Sequence, residues 1–367
     1  VKYEQLGTTG VFVSRIALGA MTFGGAGIPP WDVVGGLDLR DTDRLIGIAL
    51  DHGVNLIDTA DIYGMGESEE LVGKALGSRR RDVLIATKTY ARMGGGPNDV
   101  GLSRLHIMQS LEDSLRRLGT DHIDLYQIHS FDSLTPFEES LGALDDAVRQ
   151  GKIRYIGASN LAAWQLMKTL GVSDRRGLAR FVSLQSYYSL AGRELEREIL
   201  PALRDQGLGL LVWSPLAGGL LSGKFDRTGT TDDNARRAKA DFPLVDRERA
   251  YDIIDALRVV AARHEVQVSR VALAWVFAQP GVTSTIVGAR RPDQLIDNLA
   301  ADDLVLTAQD LDELDGVSAV PLEYPPGSRA TWPPACRRRP DGGGLPGRTS
   351  AAGVPGAVCP GDAGGVP

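Results

Sequence analysis

Four residues that together can run proton chemistry stand at the ends of successive apolar runs. "NLIDTADIYG" at 55–64 carries Asp58 and Tyr63, "DVLIATK" ends on Lys88 and "IDLYQIH" ends on His129. A phenol has an unperturbed pKa of about 10, so at neutral pH it can give a proton, but sluggishly. An ammonium beside it stabilises the phenolate and strengthens the donor. Lys88 can fill that place, and Asp58 is the carboxylate that would keep a poorly solvated lysine charged. His129 adds a donor able to orient a substrate oxygen. Such a set is a general acid with its tuning shell and needs no metal, thiol or activated serine. Asp61, in the same stretch, reads as a solvated or capping residue without a catalytic role.

A single polar residue after a strand is ordinarily turn chemistry or a helix cap. Here the pattern repeats along the chain. Eight short apolar runs, "RIALG", "GVNLI", "DVLIAT", "IDLYQI", "IRYIG", "FVSLQ", "LGLLVW" and "TSTIVG", alternate with amphipathic segments. "SEELVGKAL" opens on Ser68, "SRLHIMQSLEDSLRRL" starts from Ser103 as N-cap and closes before Gly119, and "TPFEESLGALDDAVRQ" places Thr135 at N-cap, Pro136 at N1 and Gly151 at its end. Eight strands each feeding a helix predict an α/β fold of the (β/α)8 TIM-barrel class, preceded by a β-hairpin around "TTG". In such a barrel the site is built at the C-terminal ends of the strands. The later strands also end in polar or aromatic residues: Ser159 and Asn160, Gln185, Trp213 and Ser214, then Gly288 and Arg290.

The 367 residues are 43% hydrophobic and 24% charged, enough for one large core. A net charge of −7 with dispersed basic residues argues against a nucleic-acid surface. No apolar run reaches the roughly eighteen residues a membrane span needs, and "VKYEQLGTTG" lacks the apolar core of a secretory signal, so the expectation is a cytoplasmic protein without a membrane partner. Both cysteines, Cys336 and Cys359, fall in the last fifty residues, and the five histidines show no metal-ligand spacing. Redox chemistry here would need a borrowed cofactor. The division expected is a barrel over 1–320 and, over 321–367, a tail dense in Gly, Pro and Arg that reads as disordered.

"NLIDTADIYG", "ATKTY", "DLYQIHSFD", "YIGASN", "SLQSYYSL", "VWSPLAGGLLSGKF" and "IVGARRPDQLIDN", in this order, resemble the aldo-keto reductase superfamily over about residues 1–325, in the style of its aryl-alcohol dehydrogenase and channel β-subunit-like branches. The resemblance implies an NAD(P)H-dependent carbonyl reductase with the tetrad Asp58, Tyr63, Lys88 and His129. It also implies that Ser159, Asn160 and Gln185 meet the nicotinamide carboxamide, that Trp213 stacks on the ring, and that the backbone around Gly19 and Met21 borders the same pocket. It leaves the oligomeric state open.

Residues 218–224, "GGLLSGK", fit the spacing of a phosphate-binding P-loop, but Phe225 stands where the magnesium-binding hydroxyl belongs. The segment from Ser214, Pro215 and Leu216 through Gly218 to Lys224 reads better as a loop over the cofactor pyrophosphate. Gly288 allows close approach, Pro292 starts a helix, and the planar fork of Arg290 suits a 2'-phosphate, which predicts NADPH over NADH. Gln294 and Asn298, on successive turns, would reach the adenine side. Arg236 reads either as a second phosphate contact or as a solvated charge. Met21, Trp31, Tyr90 and Tyr188 would set specificity for a small carbonyl substrate, and "ARMGGGPNDVGLSR" reads as a flexible loop beside it. The rival reading is a cofactor-binding, redox-sensing partner subunit with little turnover.

Overall fold

The computed structural model describes residues 1–230 and 236–321. The tail from residue 322 on, with Cys336 and Cys359, lies outside the described residues, as does the expectation made for it.

The chain begins with the predicted hairpin, β1 (Tyr3–Gln5) and β2 (Phe12–Ser14), paired antiparallel. Then come β3 (Ile16–Gly19), α1 (Trp31–Val34), α2 (Leu39–Asp51), β4 (Leu56–Asp58), α3 (Glu67–Leu76) and β5 (Leu84–Thr89). The middle holds α4 (Arg104–Leu118), β6 (Ile123–Ile128), α5 (Phe137–Arg149), β7 (Ile153–Ser159), α6 (Ala163–Arg176), β8 (Phe181–Tyr187) and α7 (Ile199–Gln206). The last third runs β9 (Gly209–Trp213), β10 (Phe225–Asp226), β11 (Gly229–Thr230), α8 (Arg236–Lys239), α9 (Arg247–His264), α10 (Val268–Ala278), β12 (Val282–Val287), α11 (Pro292–Leu299) and α12 (Ala308–Ser318). Strands β3 to β9 and β12 close into an eight-stranded parallel barrel, each overlapping one of the eight apolar runs.

Side chains alternate across each strand, and that parity builds the molecule. Ile57, Ile85, Tyr126 and Ile128 face outward into the core shared with the helices. Leu56, Ala86, Leu125 and Leu211 face inward and meet Leu6 and Val13 of the hairpin, which fill the bottom of the barrel. The hairpin fits because Gly7, at φ +58, brings its backbone so near the strands that a Cβ would lie 2.6 Å from Val182 O. Two residues further along the same inward face, apolar side chains give way to Asp58, Lys88 and Gln127. The floor is greasy and the mouth polar.

Helix starts follow local chemistry. Ser103 accepts from His106 N as predicted, and Gly119 ends α4 in the left-handed region. At α5 the cap moves by one residue: Pro136 is the N-cap, and the hydroxyl of Thr135 donates to Asp132. Helix α3 begins at Glu67, after a left-handed Gly66, rather than at Ser68, whose hydroxyl is buried on Ala20 O.

Candidate active site

Tyr63 follows β4 in a tight turn closed by Tyr63 N donating to Ala60 O, and the residue is half-buried with its hydroxyl turned inward. That hydroxyl lies 3.4 Å from Lys88 Nζ. The ammonium is fully buried and spends its three donors on three acceptors: Asp58 Oδ1 at 2.6 Å, Thr59 O at 2.9 Å and the phenol. Burial alone would strip the proton from Lys88, but Asp58 and Tyr63 together hold its pKa above the ordinary value, so it stays charged. Burial pushes the Tyr63 phenol up, and Lys88 opposes that without overcoming it. The phenol is therefore a protonated acid at neutral pH, and the ammonium is in place for the phenolate that forms when it gives its proton.

Asp58 is held on its second oxygen by Gln185 Nε2 at 2.7 Å and Gln127 Nε2 at 3.3 Å. Gln127 escaped the sequence reading. Parity could have found it, since it stands two residues before His129 and must share its face. His129 meets Tyr63 edge to face, with ring centroids 5.9 Å apart. Burial, then Lys88, drives its pKa down to about 3, so it is a neutral imidazole that can orient an oxygen through an N–H. Trp31 packs on the other aromatic neighbour side of the site, 5.6 Å from the Tyr63 ring. Asp58, Tyr63, Lys88 and His129 are thus brought to one place. The arrangement can protonate an oxygen placed between Tyr63 and His129.

The cofactor candidates line the same rim. Ser159 Oγ and Asn160 N both donate to Gln185 O, and the Asn160 amide bridges His129 O and Trp213 Nε1. Asn160 does so from the left-handed region at φ 56, and Ser214 (φ 53) and Ala217 (φ 50) share that uncommon conformation in the loop after β9. Gln185 has a part the sequence did not suggest, since its amide nitrogen is committed to Asp58 while its carbonyl oxygen receives no hydrogen bond from the described residues. Trp213 offers a flat face, at present stacked on Phe242 with centroids 5.7 Å apart and planes 7° apart. Gly19 pairs in register with Asp58, and half-buried Met21 follows it.

In the loop after β9, Ser214 Oγ accepts from Gly218 N at 2.8 Å, and a Cβ on Gly218 would strike Phe242 O. Pro215 and Leu216 complete that turn, and Lys224 directly precedes β10. Gly288 stands beside Gly19 O at the end of β12. Arg290 donates one N–H to Val33 O and its backbone N to Gln294 Oε1. Gln294 is exposed, whereas Asn298 is buried one turn on. Arg236 is not a solvated charge: its Nε is buried without a hydrogen-bond partner, and its charge acts on Tyr63 and is opposed by Arg290. Tyr188 does not line the mouth; it is wholly buried, donates to Glu196 and packs on Trp275. Asp61 is neither solvated nor capping, being fully buried with both carboxyl oxygens unpartnered. In the loop at 91–104 Arg92 donates to Gly96 O and Gly96 N to Asp99, while Gly101 N donates back to Tyr90 O.

A model of the aldo/keto reductase family matches residues 15–319. The chain belongs to the aldo/keto reductase family. Relatives of this aldo/keto reductase include an uncharacterized oxidoreductase, YrpG, of Bacillus subtilis, 39% identical over 86% of this chain and 96% of its own. The versiconal hemiacetal acetate reductase of Aspergillus parasiticus is 36% identical over 90% of this chain and 100% of its own. A probable voltage-gated potassium channel subunit beta of Arabidopsis thaliana is 35% identical over 86% and 96%. The chain is an NAD(P)H-dependent oxidoreductase, and its family's general chemistry is carbonyl reduction. The residues present fit a nicotinamide cofactor: a Gln185 amide oxygen that accepts no hydrogen bond from the described residues, a flat indole, and a buried, unpartnered Arg236 Nε whose charge Arg290 opposes. Among the described residues no cluster of three metal-ligating side chains occurs, and no helix is long and apolar enough to cross a membrane.

Proposed function

We propose that this aldo/keto reductase reduces an aldehyde or ketone to the alcohol with NADPH, and that Tyr63 delivers the proton. The observation that carries the reading is the fully buried Lys88 ammonium, bonded to Asp58 and placed 3.4 Å from the Tyr63 hydroxyl. Reduced nicotinamide, when bound, supplies the hydride. The protein's own part is to hold the carbonyl oxygen between the Tyr63 hydroxyl and the neutral His129 ring. As negative charge grows on that oxygen, Tyr63 gives up its proton, and the nascent phenolate faces Lys88. Asp58 keeps the ammonium charged, and Gln127 and Gln185 keep Asp58 in place. The Trp31 ring beside Tyr63 supports an apolar or aromatic carbonyl substrate.

For the cofactor, Gln185 and Ser159 would take the carboxamide, and Trp213 would receive the nicotinamide ring once Phe242 gives up that face. Arg290, with Arg236 beside it, would take the 2'-phosphate, using the guanidinium N–H groups not committed to Val33 O. Loss of NADPH absorbance with a panel of aromatic aldehydes tests the reading. Similarity to a channel subunit beta keeps a second one, a redox-sensing partner subunit. Tight NADPH retention with negligible turnover on every carbonyl would favour that one.

A further inference from the structure

The mechanism does not use Asp61, a buried acid between two of the residues that carry it. This residue lies in the turn between Asp58 and Tyr63, its backbone N donating to Lys88 O at 3.2 Å. It is 0% exposed, and neither carboxyl oxygen has a hydrogen-bond partner. The charged and titratable groups around it are Glu69 of α3, Arg117 of α4, Lys88 of β5 and Tyr126 of β6. None of them serves it. Arg117 Nε donates to Glu69 at 2.7 Å, and Thr87 takes the other Glu69 oxygen at 2.6 Å. The donors of Lys88 go to Asp58, Thr59 O and Tyr63. The Tyr126 hydroxyl donates to neither Asp61 oxygen.

An ionised carboxylate in that setting would be shut off from solvent with no cation bonded to it, and burial of an unpaired charge is strongly unfavourable. We propose that Asp61 is kept as a neutral carboxylic acid beside the Lys88–Tyr63 pair, so that Asp58 alone balances the ammonium. If Asp61 ionised, a second negative charge near Lys88 would offset the field that favours the Tyr63 phenolate. Burial, then the neighbouring Glu69, raises the Asp61 pKa to about 8, which agrees with the geometry.

Unfolded, the group ionises near 3.8, whereas in the fold it holds its proton to about 8. Its stabilising contribution is therefore fully present below about pH 4, is lost progressively as pH rises toward 8, and is flat beyond. Asp61→Asn, nearly isosteric and never charged, lacks that loss. The inference rests on the reading of Tyr63 as proton donor, but its test does not need turnover.

Thermal unfolding of wild type and Asp61→Asn is followed from acid to alkaline pH, together with the infrared band of a protonated carboxyl. Tyr63 ionisation is read from tyrosinate absorbance as the component lost in Tyr63→Phe. The expected result is a carboxyl band in wild type at neutral pH that Asp61→Asn lacks, and a melting-temperature advantage of Asp61→Asn that grows from about pH 4 to about pH 8. Above that range the Tyr63 transition of Asp61→Asn is expected at lower pH than that of wild type. Lack of the band in wild type, which needs no variant to fold, would overturn the proposal. So would a variant less stable than wild type at neutral pH, or one whose Tyr63 transition does not move. Absence of carbonyl turnover with these shifts intact would instead sink the proposed reaction and leave Asp61 as described.

Discussion

Asp58 and Asp61 are three residues apart on one turn, both buried, and the barrel treats them in opposite ways. Asp58 accepts Lys88, Gln185 and Gln127, whereas Asp61 accepts no hydrogen bond. A carboxylate can be carried out of water with its counter-charge or without its own charge, and this turn does each once. The first solution builds a charged pair that can act on Tyr63. The second places an acid behind that pair without disturbing it.

The harshest way to break the comparison is Lys88→Met, which takes the counter-charge from Asp58 and leaves it only the two glutamine amides. Leaving the carboxylate unpaired should cost about 3–5 kcal/mol of stability unless Asp58 takes up a proton. The expected outcome is a lower melting temperature that recovers in part on acidification, with carbonyl reduction lost. Wild-type stability across neutral pH would mean that the pair is not what holds Asp58.

The fold was legible in the sequence because apolar runs alternate with amphipathic segments, and the pair because polar residues stand at the ends of those runs. Each barrel strand is an apolar run, and Asp58, Lys88 and His129 stand at the ends of three of them. Gln127 stands inside its run, and only strand parity places it on the face of His129. The burial of Asp61 had no local signal, since it depends on how Glu69 and Arg117 of two packed helices meet behind the strands. Arg236, Phe242 and Tyr188 were illegible for the same reason: long loops and helix packing decide whether such side chains face the mouth, solvent or the core. Thr135, expected as a cap, is instead tied back to Asp132 three residues before it.

Neighbouring cations sharpen the contrast. Arg237 is buried and bonded to Ala217 O, Pro243 O and Asp241, while Arg236 beside it has an orphaned Nε and a charge that Arg290 opposes. Bonded Arg237 should matter for stability, and the other two arginines for an anion. Arg290→Ala is expected to weaken NADPH by about 1.5–3 kcal/mol while sparing NADH, as measured by titration calorimetry. Equal weakening of both cofactors would remove the phosphate assignment.

His129 repeats the second solution in basic form, and its effect at assay pH is the smallest. Held neutral in the fold with a pKa of about 3 against 6.5 unfolded, it makes a contribution present above about pH 6.5 and lost as pH falls toward 3. Acid unfolding of His129→Asn should therefore begin at lower pH than that of wild type. An unchanged acid transition would show that the imidazole is already charged in the fold.

The most direct test of the whole account is Tyr63→Phe, which removes one hydroxyl and leaves Asp58, Lys88 and the ring in place. NADPH consumption with an aromatic aldehyde that wild type reduces should fall on the order of a hundredfold or more, while NADPH binding by fluorescence titration stays nearly intact. Turnover equal to wild type in that variant would contradict the assignment of Tyr63 as proton donor and, with it, the reason given for the Lys88 pair.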